Sequence, residues 1–115
     1  MTPRTRLLAT TLALTLALAG CGHDHYYDPG PPPIAGLGLT LTRVGPEAIQ
    51  LDWSFDPAAA AYEVTRDGFP LARAATTSLV DASVVGGFRY CYQVTGRGVS
   101  GGVVSVTSVG CITVF

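Results

Sequence analysis

Apolar side chains between residues 34 and 115 recur at every second position in short runs, with turn signals about every 8 to 12 residues. Ile49, Leu51 and Trp53 alternate with Gln50 and Asp52, so one face of that segment is apolar and the other polar. A period of two is the signature of a half-buried strand, and no stretch of this region carries a convincing 3.6-residue stripe. Residues 56–62, Asp-Pro-Ala-Ala-Ala-Ala-Tyr, favour a helix by composition but are too few to sustain one. The pattern predicts an all-β antiparallel sandwich. With 115 residues, 48% of them apolar and 13% charged, the chain has room for one domain and enough apolar surface to fold it.

Individual strands follow from the alternation. A first strand is expected over residues 37–42 and a second around Ile49, Leu51 and Trp53, with Trp53 central in the core. Tyr62 and Val64 then face inward, with Glu63 and Thr65 outward. Asp67-Gly68 supplies a tight turn whose glycine tolerates positive φ. A short return through Leu71 follows, then a strand around residues 77–80. Val84, Gly86 and Gly87 bend the chain into the strongest strand, residues 88–95, with Tyr90, Tyr92 and Val94 on one face. A single last strand is expected from about residue 103 to residue 114.

The N-terminal segment has a different grammar. Arg4 and Arg6 precede an apolar stretch from Leu7 to Ala19, and small residues at Ala19 and Gly20 stand immediately before Cys21. That layout is a secretory leader. At 1.5 Å per residue the apolar stretch reaches roughly 20 Å, short of the roughly 30 Å a permanent span needs. Leu18-Ala19-Gly20-Cys21 resembles the lipobox of bacterial lipoproteins. The resemblance implies cleavage after residue 20 and acyl chains of the palmitate kind on Cys21, which becomes the mature N-terminus. It thus implies a cell-envelope location, with covalent lipid in a bacterial membrane and the domain in the periplasm or at the cell surface. Gly22 lacks the aspartate that resembles an inner-membrane retention signal, which favours the outer membrane where there is one.

Residues 22–33, Gly-His-Asp-His-Tyr-Tyr-Asp-Pro-Gly-Pro-Pro-Pro, show no apolar periodicity, and their prolines favour an extended rod. They read as part of a lipid-anchored, Pro-rich linker over residues 21–33, between a signal peptide over 1–20 and a domain over 34–115. His23 and His25, with Asp24 and Asp28, are of metal-ligating type, but a linker offers them no supporting shell, so they are weak candidates and no metal or cofactor is expected. Nucleic acid is not an expected partner. Removing Arg4 and Arg6 with the leader takes the formal charge from −1 to −3, and the remaining arginines are scattered.

Trp53, residues 62–68 (Tyr-Glu-Val-Thr-Arg-Asp-Gly), residues 77–84 and residues 86–94 resemble, in order and spacing, a fibronectin type III domain. The resemblance covers about 82 residues and implies an immunoglobulin-like sandwich. In it Trp53 packs between two sheets and Tyr90 occupies the position of the tyrosine corner. The region is slightly short for the family, which suggests trimmed loops or a trimmed strand between Tyr62 and Thr77.

With Cys21 assigned to lipid, Cys91 and Cys111 remain as an even pair in an oxidising compartment. If they face each other across a terminal hairpin, Tyr90 lies beside Ile112, Val94 beside Ser108, and Gly101 at the tip. A cross-strand disulfide fits that register; the alternative is two buried free thiols. Catalytic signals are weak. Gly98-Val99-Ser100-Gly101-Gly102 matches G-x-S-x-G, but no helix is expected after it and both histidines lie upstream. Asp52, Glu63 and Asp67 read as solvated, and Asp81 as the acceptor of a local turn. The expectation is therefore a membrane-anchored, non-enzymatic interaction or spacer module that binds an envelope protein or glycan through loops or an edge strand. The alternatives are a structural accessory subunit of a larger envelope complex and metal capture through His23 and His25.

Overall fold

The structure, a computed structural model, describes residues 33–115. Cys21, His23, His25, the leader and most of the linker lie outside the described residues. Nine strands form in chain order: β1 (Ala35–Leu37), β2 (Leu39–Gly45), β3 (Ala48–Trp53), β4 (Ala61–Arg66), β5 (Phe69–Ala74), β6 (Ser78–Asp81), β7 (Arg89–Arg97), β8 (Val103–Thr107) and β9 (Gly110–Thr113). There is no helix among the described residues. One sheet has six strands in the order β1-β8-β7-β4-β5, with β9 also paired to β7, and the other has three in the order β2-β3-β6.

The core is the set of side chains that the alternation points inward. Ile49, Leu51 and Trp53 from β3 meet Tyr62 and Val64 from β4, Tyr92 and Val94 from β7, and Val114; all are buried. The Trp53 and Tyr62 rings pack edge to face with centroids 5.6 Å apart, an arrangement aromatic quadrupoles favour. Leu39 and Leu41 of β2 close over β9, where Gly110 leaves room for both: a Cβ there would already touch each at 3.4 Å. The β4–β5 turn is the expected one, with Asp67 and Gly68 both at positive φ, 51° and 85°. Such a two-residue turn matches strand twist.

Three expectations are corrected. The strand expected over residues 37–42 is two strands in different sheets. It breaks at Gly38, whose N–H donates to Ser54 Oγ (2.9 Å) and whose carbonyl accepts from Ser54 N–H (3.1 Å). The part before the break pairs in parallel with β8, and the part after it pairs with β3. The single last strand is likewise two. Cys91 faces Cys111 and Tyr90 faces Ile112, but beyond the break the ladder slips by one, with Thr95 opposite Val106 and Gly96 opposite Ser105. Val94 therefore does not meet Ser108. Its N–H donates instead to the buried Thr107 hydroxyl (3.1 Å), and Gln93 Nε2 donates to the Thr107 carbonyl (3.0 Å), so side chains replace the ladder bonds at the slip. Finally, β5 is not trimmed: the tight turn at Asp67-Gly68 leaves six residues for it.

Candidate functional site

Two regions outside the apolar core could carry a site: a polar cluster and a group of loops. The first ties the two sheets together at one end of the sandwich. On β4, Tyr62, Val64 and Arg66 share the inward parity, so the alternation drives a guanidinium towards the core. A charge pointed inward must find an opposite one. Arg66 Nη1 donates to Asp81 Oδ2 at 2.8 Å, and Asp81, on the other sheet, is only 4% exposed. The same carboxylate oxygen accepts the hydroxyl of the fully buried Tyr92 at 2.7 Å. Its other oxygen accepts the Ser83 N–H and hydroxyl at 3.0 and 2.7 Å, so Asp81 closes the expected local turn as well. Arg66 Nη1 also donates to Ser83 Oγ (2.8 Å), and its guanidinium lies 5.2 Å from the centroid of the Tyr90 ring.

Each charge state in this cluster is locked. Burial pushes the Asp81 carboxyl up, but the hydrogen bonds from Ser83, Tyr92 and Arg66 outweigh it and hold the group down at about 2. Burial, and next the bond to Asp81, push the Tyr92 phenol above its ordinary value; the bond to Asp81 raises Arg66. At neutral pH Asp81 is thus an anion, Arg66 a cation and Tyr92 a neutral phenol. The cluster is a polar bolt between the sheets.

The remaining expected residues take these places. The half-buried Tyr90 accepts the Val85 N–H on its hydroxyl at 2.8 Å, a bond from the end of β7 back to the preceding loop that has the geometry of a tyrosine corner. Cys91 and Cys111 are joined in a disulfide between directly opposed residues, Cα atoms 4.0 Å apart. The Cys91 backbone turns away from β9: its N–H donates to Asp67 Oδ1 (2.9 Å), and its carbonyl accepts from Asp67 N–H (2.7 Å). Glu63 accepts from Arg97 Nε at 2.9 Å, and Asp52 accepts from Gln50 Nε2. The serine of the G-x-S-x-G string stands on a hairpin turn closed by Gly101 N–H to Gly98 carbonyl (2.9 Å), with Gly101 at φ 92° and β8 following. It is not a strand-to-helix elbow.

Sequence reasoning missed the roles of Arg66 and Tyr92. The signal was present in the parity of Tyr62, Val64 and Arg66, since an arginine in phase with core residues demands a buried acid.

The second set is the loop group at the opposite end: residues 54–60, 75–77 and 98–102. They are held together by Ala60 N–H to Arg97 carbonyl (2.7 Å) and Trp53 N–H to Thr77 carbonyl (3.0 Å). The first and last of these loops carry Phe55 and Val99, both strongly exposed. Along the sheet edge, β4 and β5 border a shallow depression of about 290 Å³ lined by Glu63, Thr65, Pro70 and Arg73 among others. Pro70 and the ladder irregularity between Val64 and Thr65 blunt that edge against a further strand.

No protein-family model matches the chain, and no curated protein matches it. Solved structures do. A fibronectin type III-like protein from Clostridium thermocellum superposes with a TM-score of 0.60 at 22% identity over 71% of this chain and 92% of its own. A pectate lyase, PelI from Erwinia chrysanthemi, gives 0.59 at 23% identity over 67% of this chain but only 28% of the enzyme. The FN5 domain of Drosophila Lar gives 0.51 at 13% identity over 70% of this chain and 95% of that domain. The match to the lyase thus spans about a quarter of that protein. The described residues fold as a fibronectin type III-like domain.

Proposed function

We propose that the chain is a lipid-anchored, non-enzymatic interaction or spacer module of the bacterial cell envelope, which presents one fibronectin type III-like domain on a Pro-rich tether and binds a protein or glycan through its loops. The observation that carries this reading is the division of the cysteines. Cys91 and Cys111 are joined inside the fold, a bond that suits an oxidising compartment, and Cys21 is left at the end of an apolar leader as the one thiol for acyl chains. Two or more such chains, at about 0.8 kcal/mol per buried methylene, anchor a protein durably. The structural pairing of Arg66, Asp81 and Tyr92 between the sheets and the hairpin setting of Ser100 support a binding role over a catalytic one. Blunting of the β5 edge favours loops over strand addition.

The test is fractionation of cells fed a labelled fatty acid. Wild-type chain is expected in the membrane fraction carrying the label. Cys21→Ser is expected to lose the label and to leave that fraction. A wild-type chain that is unlabelled and soluble would overturn the reading.

A further inference from the structure

Resting on the lipid-anchor reading just given, we infer that the loop end formed by residues 54–60, 75–77 and 98–102 docks on the surface of the bilayer that holds the anchor. The first argument is where the chain leaves the domain. β1 runs parallel to β8, with Ala35 opposite Ser105 and Leu37 opposite Thr107. Pro33 and Ile34 therefore lie back along β8 towards the 98–102 hairpin. The described residues thus begin at this end of the sandwich, and Phe115 lies at the other.

The second argument is reach. Twelve residues separate Cys21 from the domain. Fully extended they span roughly 35 Å, and as a flexible coil they average about 20 Å. A lipidated Cys21 thus keeps this end within a few tens of ångströms of the headgroups, where a tethered contact forms at high effective concentration and even weak apolar contacts hold.

The third is composition. In these three loops the single ionisable side chain is Asp56, and it is buried, its Oδ1 capping the Ala58 N–H at 2.9 Å. The rest are alanine, glycine, serine, threonine and proline, around Val99 at 95% exposure and Phe55 at 72%, with Ile34 at 55% on the departing chain. Arg97 reaches this end, donating to the Gly101 carbonyl at 3.1 Å, but it is paired with Glu63 at 2.9 Å. A surface of protruding apolar side chains whose border charges are paired loses less hydration on meeting a headgroup layer than one with unpaired charges. The far end exposes Phe69, Phe88 and Phe115 as well, but on a surface that also carries the exposed Glu47, Asp67 and Arg89. Docking turns that charged end away from the bilayer.

The test uses the full chain produced with its leader. Its lipid is first read by intact mass, and the protein is reconstituted in phosphatidylethanolamine–phosphatidylglycerol vesicles containing brominated acyl chains. Val99→Trp and Phe88→Trp each add one indole, with the wild-type chain as blank for Trp53. The Val99→Trp signal is expected to fall at least twofold relative to unbrominated vesicles, and the Phe88→Trp signal to stay unchanged. Equal quenching of both, or quenching of neither, in a chain that carries lipid overturns the docking and leaves the anchor standing. A chain whose Cys21 carries no lipid overturns the anchor reading and the docking with it.

Discussion

The two ends of this sandwich are built on opposite principles. At one, Arg66, Asp81, Tyr92 and Ser83 form a web of charge-assisted bonds between the sheets, with the Tyr90 ring against the guanidinium, backed by the disulfide that Asp67 props from behind. At the other, the loops are small-residued, with Asp56 as their single ionisable residue and that one buried, and they are joined by backbone and side-chain hydrogen bonds, with Val99 and Phe55 projecting. Stability is concentrated where charge is buried and paired; surface for contact is offered where charge is missing. Substitutions in the cluster at the first end should therefore cost folding, and those of the projecting Val99 and Phe55 at the second should cost only contact.

The largest effect is expected from Asp81→Ala, which leaves the Tyr92 hydroxyl without an acceptor inside the core and Arg66 without its anion. A loss of about 4 kcal/mol is expected in urea unfolding at neutral pH. A loss below about 1 kcal/mol would put the cluster outside the stabilising framework. Replacing Cys91 and Cys111 together by serine should cost about 3 kcal/mol by loop entropy for a separation of 20 residues, read as a lower midpoint in the same titration.

Acid sharpens the contrast further. The Asp81 carboxyl sits at about 2 in the fold against 3.8 unfolded. A depressed value stabilises above the unfolded figure, and that stability is lost as pH falls from about 4 towards 2. About 2 kcal/mol should disappear across that window, and Asp81→Asn should flatten this part of the pH profile. The smallest effects separate the two ends at single side chains. Tyr90→Phe, which removes the bond from Val85 N–H, should cost about 1 kcal/mol. Val99→Ser should change stability by less than about 0.5 kcal/mol. A Val99 variant that unfolds the domain would erase the distinction between the ends.

What could be read from the chain divides along the same line of local against distant causes. Ile49, Leu51 and Trp53 announce β3 because alternation is written in consecutive residues, and Asp67-Gly68 announces its turn because the backbone demand is local. The sheet switch at Gly38 depends on Ser54, sixteen positions away. The slip between β8 and β9 depends on Thr107 reaching Val94. Neither partner is marked in sequence. Arg66 was legible as an anomaly of parity, but its acid could be named only once β6 lay over β4. The loops are visible as runs of alanine and glycine; that they gather at the end where the described chain begins emerges only from the parallel pairing of β1 with β8.

The proposed anchor and the fold meet in the three sulfurs, Cys21 for lipid and Cys91 with Cys111 for the disulfide. Intact mass of the natively produced protein reads all three at once. The expected mass is that of a chain beginning at residue 21, heavier by its acyl groups and lighter by the hydrogens of one disulfide. A mature chain with an unmodified Cys21, or with Cys21 bonded to Cys91 or Cys111, would overturn that division.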